Sequence, residues 1–302
     1  MINIQGNKKL ANILIKRDGK TLECVTEDVF KAEVDKIYEE INNSLKTKSG
    51  LDFYKIGYSQ EMTDVANNIL NKDIEYSMEI AQNWDAYNTN GDEYFKGDKN
   101  LKYFPAINTA NLLTANYFLA DCPELRIVPE LDFGDTHDAT NLFDNCTKLE
   151  VVGGLRFERL VDGDYMFGGC TNLKTIHSLI SPILEDAESM FRNCTNLQSL
   201  PLLDFATVDS ISYFFGFSDI LGLTDLGGFK DLKIDWNDTY GLCRCPNLTK
   251  QSILNVITNL YDFRTNGDTE TTRTLKLHSN SLSLLSDDDK AIATDKGWIL
   301  IS

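Results

Sequence analysis

No window of this 302-residue chain approaches 18 consecutive apolar residues, so no segment is predicted to cross a membrane as a helix. The opening stretch MINIQGNKKLANILIKRDGK lacks the apolar core that marks a secretory leader. The chain is therefore expected to stay where it is made, unless it leaves inside a larger assembly. Positive charge is scarce: 29 Lys and Arg stand against 46 Asp and Glu, for a net charge of −17. Nucleic acid and anionic membrane surfaces, which need clustered Lys and Arg, are not expected as partners. Histidine is rarer still. His137, His177 and His278 are far apart, and none has a cysteine or serine partner at a recognisable motif spacing. No G-x-S-x-G, phosphate-binding loop or H-E-x-x-H stretch is present.

Weaker signals of chemistry also fall short. Aligning Asn88, Asn90 and Gly91 of NTNGDE with a calcium loop puts Ala86 and Gly97 at the positions that need acids, so the stretch reads as a turn. Asp287, Asp288 and Asp289 read as the first turn of a helix. Cys243 and Cys245 make only a C-x-C, with no second pair to complete a zinc site. Nothing points to a carboxylate pair for glycoside chemistry. No metal or cofactor is expected, and the chain is read as non-enzymatic.

What the sequence does contain is a phrase said twice, MFGGCTNLKTI at 166–176 and MFRNCTNLQSL at 190–200. Cys122, Cys146, Cys170 and Cys194 recur every 24 residues, and the next step lands on Ser218. Three residues on stand Leu125, Leu149, Leu173, Leu197 and Leu221. Asp98 with Leu101, and Cys245 with Leu248, extend the pattern to about six units. Further columns hold Val128, Val152, Ile176 and Leu200, then Leu131, Leu155, Leu179 and Leu203, and, ahead of the cysteine, Leu119, Phe143, Phe167, Phe191 and Phe215. Leucines at fixed offsets in a period of 20–29 are the signature of leucine-rich repeats, which bury their apolar faces only by stacking. The cysteines are read as small apolar residues inside the stack, although a spacing of about 5 Å between neighbours would permit disulfides.

Eight residues before the cysteine stand Thr114, Asp138, Asp162, Asp186 and Ser210, all good N-cap residues. Each unit is thus expected to be a short helical turn followed by a strand over LRIV, LEVV, LKTI or LQSL, the strands forming one parallel sheet. Four residues past each cysteine, Arg126, Glu150, Lys174, Gln198 and Gly222 form the one strand column that stays mostly polar, so its side chains should point away from the core. Arg126, Glu150, Lys174 and Gln198 are the candidate binding row, for another protein or a glycan.

The flanks differ from the repeats. RDGK at 17–20 allows a hairpin. From Thr26, the stripe Phe30, Val34, Ile37, Ile41 and Leu45 predicts an amphipathic helix, which could pack on the repeats or pair with copies of itself. A second helical stretch over about 60–85 leads into the repeats. At the other end a helix over 252–263, a strand over 273–279, a helix capped by Ser286 and a last strand after Gly297 are expected. The expected architecture is α/β: an arm and attachment or oligomerisation helix over 1–50, a helical N-terminal cap over 51–97, a leucine-rich-repeat solenoid over 98–249, and a mixed α/β C-terminal cap over 250–302.

The phrases MFGGCTNLKTI and MFRNCTNLQSL resemble the BspA-like leucine-rich repeats of surface antigens of gut bacteria and of virion proteins of the phages that infect them. The tail TRTLKLHSNSLSLLSDDDKAIATDKGWILIS is similar to the C-terminal cap that follows such repeats. The resemblance covers about 98–302. Bacterial members are secreted adhesins with a signal peptide, which this sequence lacks. The resemblance therefore implies a phage virion component, tail- or fibre-associated, attached to other virion proteins through its N-terminal region. It would contact a host surface protein or glycan, and homo-oligomers are possible. The alternatives are a bacterial surface adhesin and, further off, a glycan-active enzyme with the repeats as scaffold.

Overall fold

A computed structural model describes residues 14–17, 20–23 and 76–302. The chain forms two compact units, Met1–Trp84 and Asp85–Ser302. In the first, Leu14–Arg17 (β1) pairs antiparallel with Lys20–Glu23 (β2), Arg17 opposite Lys20. Asp18-Gly19 stands between them in the sequence, the dipeptide a tight hairpin favours. Residues 76–83 are helical, which is the described part of the helix expected over 60–85. The stripe Phe30, Val34, Ile37, Ile41 and Leu45 lies outside the described residues.

The second unit is mixed α/β, with parallel strands in open sheets and no closed barrel. Ile127–Asp132 (β3) and Val151–Arg156 (β4) are its long strands. Thr175–Ile176 (β5), Leu179–Ile180 (β6), Ser199–Leu200 (β7), Leu203–Asp204 (β8), Asp225–Leu226 (β9) and Phe229–Lys230 (β10) follow. The main sheet runs β3-β4-β5-β7-β9, with β6 also on β4, while β10 pairs with β8. The register repeats the sequence period: Ile127 lies opposite Val151, Val151 opposite Thr175, and Thr175 opposite Ser199, each 24 residues on. The N–H groups of Arg126, Glu150, Lys174 and Gln198 donate to the carbonyls of Lys102, Arg126, Glu150 and Lys174 at 2.8–2.9 Å.

The stretch expected to be a helical turn is instead a string of tight turns bonded to the next repeat. Ala115, Tyr117, Leu119 and Asp121 donate N–H to the carbonyls of Asp138, Thr140, Leu142 and Asp144 at 2.7–3.0 Å. Between them, Phe118 and Ala120 donate back to Ala115 and Tyr117. The next repeat offers every second N–H a partner, so no internal helical ladder is needed to satisfy the backbone. Positive φ at Tyr117, Asp121, Asn141 and Asn145 rules out helix there. The expected N-cap column Thr114, Asp138, Asp162, Asp186 and Ser210 forms a row of parallel bridges, starting one step earlier at Asn90. Asp138, Asp162 and Asp186 accept the N–H two residues on, closing side-chain turns rather than capping helices. Residues 85–97, expected in a helical cap, are turns of this kind, with Gly91, Glu93, Phe95 and Gly97 donating to Thr114, Asn116, Phe118 and Ala120.

The columns are the core. Leu125, Leu149, Leu173 and Leu197 are all 0% exposed, as are Phe143, Phe167 and Phe191, whose rings stack at 5.1–5.3 Å. Cys122, Cys146, Cys170 and Cys194 are free, buried thiols, and they do more than fill space. Cys122, Cys146, Cys170 and Cys194 each donate S–H to a carbonyl of the preceding repeat, those of Phe95, Leu119, Phe143 and Phe167, at 2.9–3.1 Å. A cysteine thus suits a slot that is small, apolar and faces a buried acceptor. Backbones also meet closely: a Cβ on Gly153 would lie 2.9 Å from the carbonyl carbon of Pro129, and one on Gly227 would lie 2.3 Å from the amide of Leu202.

One register expectation fails. Leu221 is 61% exposed, while Ile220 and Leu223 are fully buried. Ser199 lies opposite Asp225 and Leu200 opposite Leu226, a step of 26 rather than 24. Two extra residues after Phe215 shift the fifth unit, so Ile220 occupies the cysteine slot in place of Ser218, and Leu223 the leucine slot. A fixed count of 24 could not register an insertion that leaves a leucine at the expected position.

At the end of the sheet, Lys250–Asn259 forms a helix (α1) capped by Thr249. Its side chains take the place of a further repeat. Ser252 Oγ accepts from the Leu226 amide and donates to the Thr224 carbonyl, and Asn255 donates to the Leu226 carbonyl. Then come Arg273–Lys276 (β11), a short helix Ser279–Ser283 (α2) absent from the expectation, Asp287–Thr294 (α3) and Trp298–Ile301 (β12), which pairs parallel with β11. Ser286 and Asp289 form a reciprocal capping box on α3, and Gly297 takes φ +96 beyond it.

Candidate functional site

Arg126, Glu150, Lys174 and Gln198, expected on the strands, stand side by side one residue ahead of β3, β4, β5 and β7, one per repeat. They engage one another. Glu150 lies 3.6 Å from the Arg126 guanidinium and 2.5 Å from the Lys174 ammonium, with side chains 44%, 34% and 27% exposed for Arg126, Glu150 and Lys174. Gly222 does not join the row: Thr224 N–H donates to the Gln198 carbonyl, so the inserted residues put Thr224 in its place. The row is a half-exposed ion-pair ladder, worth little to stability and free to exchange partners at the surface.

The turn face carries more distinctive chemistry, which the sequence reading passed over. In steps of 24 along the turn face the column reads Tyr117, Asn141, Tyr165, Ser189 and Tyr213, all on left-handed backbone with φ between 52 and 59. Asn tolerates that conformation, but tyrosine adopts it only where the surroundings impose it. Alternation of large and small residues sets successive tyrosines two repeats apart, about 10 Å. The adjoining columns read Asp144, Gly168 and Arg192, then Asn145, Gly169 and Asn193. Between two repeats bearing long polar side chains, the repeat of 166–176 offers only Gly168–Gly169. The result is a cleft of about 450 Å³ over those glycines. A Cβ on Gly168 would lie 2.7 Å from the Asp144 carboxylate, and one on Gly169 2.6 Å from the Asn145 amide oxygen, so both side chains lean over the glycines.

The walls are held by polar contacts. Arg192 donates to the Tyr165 hydroxyl at 3.1 Å, and its guanidinium lies 5.6 Å from the Tyr165 ring and 5.2 Å from that of Phe217. Its Nε is buried with no partner among the described residues. Lys96 covers the Tyr117 ring at 4.2 Å. Asn145 bridges the Asp144 and Asp121 carboxylates at 2.9 and 3.3 Å. Burial, with Asp121 nearby, pushes the Asp144 carboxyl up to about 6. Beyond Arg192, Tyr213 and Tyr240 stack at 4.4 Å and Phe217 meets Tyr240 at 5.0 Å, leaving Phe217 and Leu221 exposed.

Other candidate groups have local roles. His278 caps α2 by accepting the Asn280 N–H, while His137 and His177 are exposed. Burial pushes the Cys146, Cys170 and Cys194 thiols up, which makes them poor nucleophiles. Among the described residues, no three His, Cys, Asp or Glu side chains are grouped to hold a metal ion, and no helix is long and apolar enough to cross a membrane. The cleft was legible in the alternation of tyrosine with Asn and Ser and in the GG of MFGGC, had the columns ahead of the cysteine been read for surface as well as core. No known protein family, curated protein or solved structure matches this chain.

Proposed function

We propose that residues 98–249 are a leucine-rich-repeat solenoid of the BspA-like type, and that 250–302 close it as a C-terminal cap. The chain serves as a non-enzymatic virion structural protein, tail- or fibre-associated, that presents its repeat surface to a host or to a neighbouring virion protein. The observation that carries this reading is the parallel pairing of strands at the 24-residue sequence period over fully buried leucine columns. Such a stack offers an extended face with one side chain per repeat, suited to a large partner. Ser252 and Asn255 on the last open strand support the capping role of 250–302. The N-terminal region, 1–50, attaches the protein or oligomerises it.

Mass spectrometry of purified virions, with the chain produced alone and without 1–50, tests the proposal. The chain is expected in virions, and deletion of 1–50 should abolish incorporation while leaving the repeats folded. Absence of the chain from virions contradicts the virion reading, and normal incorporation of the truncated chain puts attachment elsewhere.

A further inference from the structure

We infer that the turn-face cleft over Gly168–Gly169 binds a neutral oligosaccharide. This deepens the proposed binding role by assigning it to a face other than the strand row.

The lining argues for the ligand class. Tyr117 and Tyr165 line the cleft with aromatic rings and hydroxyls about 10 Å apart along the stack. Asn141 and Asn193 offer amides, each able to donate and accept at once, and Asn145, whose N–H groups hold Asp144 and Asp121, offers its amide oxygen. Sugars present that mixture: patches of C–H for an aromatic face, and hydroxyls that donate and accept together. Other ligands fit less well. Among the lining residues Asp144 offsets Arg192, which leaves no surplus of positive charge for a phosphate or sulfate. The polar walls give an apolar ligand too little to bury against. An extended peptide would need free backbone groups, but the backbone N–H groups of this face donate alternately to the neighbouring repeat and within their own turn.

The site is also built. Tyr117 and Tyr165 sit on left-handed backbone that tyrosine rarely adopts, and Lys96 and Arg192 hold their rings by cation–π contact. Arg192 lines the cleft, and its buried Nε has no partner among the described residues. Gly168 and Gly169 stand between Asp144 and Asn145 on one side and Arg192 and Asn193 on the other, which opens one repeat's width of space. Phe217, Tyr213 and Tyr240 extend the aromatic surface beyond Arg192, so a chain of several sugars has somewhere to continue.

The experiment titrates cellotetraose, mannotetraose and N-acetylchitotetraose separately into the full chain by calorimetry. At least one should bind with a Kd of about 10⁻⁵–10⁻³ M, the range of modest binding free energies. Two variants borrow residues from the same columns. Tyr165→Ser copies Ser189 and removes the ring. Gly168→Arg copies Arg192 and fills the cleft. Each should weaken binding at least about tenfold, while the Arg126→Ala, Lys174→Ala and Gln198→Ala triple variant on the strand row binds like the wild type. Should Gly168→Arg fail to fold, Asn193→Gly, which copies Gly169, takes its place. No binding of any of the three sugars, or wild-type binding by either folded cleft variant, overturns the inference. A chain absent from virions that binds sugar through this cleft leaves the inference standing and removes the virion reading. A virion component that binds none of the sugars does the reverse.

Discussion

At the scale of single residues, identity follows slot. Leu173 is fully buried between Leu149 and Leu197, so Leu173→Ala should cost about 2–5 kcal/mol, the usual toll of a core truncation. Leu221 has the same chemistry and the expected position, yet it is exposed, and Leu221→Ala should change stability by less than about 0.5 kcal/mol. Denaturant unfolding of the two variants checks the inserted register directly, and equal costs would contradict it. The cysteine column was legible as small and apolar, but the thiol bonds to preceding carbonyls were not. They depend on where the neighbouring backbone points, which a one-letter column does not carry. Asp164 is another case of neighbour dependence. Burial, and Asp186 beside it, push its carboxyl from 3.8 up to about 8. Across that window the folded chain holds a proton that the unfolded chain has lost, so stability falls as pH rises. Asn116, in the same column, shows the remedy: its amide donates to Asp138 and accepts from Thr140. Asp164→Asn should raise stability at pH 8 by about 1–2 kcal/mol, discounted for partial exposure, and by far less at pH 4. Thermal melts at the two pH values check this; an equal effect at both would mean that the carboxyl titrates normally.

At the scale of elements, the strands were legible and the turns were not. LRIV, LEVV and LKTI each place β-branched residues two and three positions after the leucine, which suits a half-buried strand. The stretch before each cysteine holds apolar residues at helical spacing behind a capping residue, and by local rules alone it reads as a helix. Contact with the next repeat prevails over that local preference, because it satisfies the same N–H groups and admits the left-handed residues a helix refuses. The C-terminal elements fell close to expectation because each has its own punctuation: Thr249, Ser286 and Gly297 mark ends by local chemistry. The contacts of α1 with β9 could not be read from sequence. Ser252 and Asn255 face the last strand where a further repeat would otherwise pair. Replacing both with alanine leaves buried backbone groups of Leu226 without partners and should cost about 2–4 kcal/mol. Faster hydrogen exchange at β9 in that variant, with β3 and β4 unchanged, is the expected signature. Uniform loss of protection would mean that the helix does not act as a local closure.

At the scale of the whole molecule, the account makes the second unit a modular stack whose period is the unit of both folding and presentation. The ion-pair row on one face and the tyrosine cleft on another both follow from one side chain per repeat at each offset. The most direct test removes one period. Deleting residues 127–150 joins Arg126 to Val151, so the Arg126 slot takes over the place of Glu150 and every later column keeps its register. The account predicts a folded protein whose circular dichroism and cooperative melt stay close to those of the parent, while a deletion of 125–150, two residues longer, leaves the joined unit two residues short and without its buried leucine, and should lower the melting temperature sharply. If the 24-residue deletion unfolds the protein, or the two deletions behave alike, the period is not the structural unit and the stacked-repeat account is wrong.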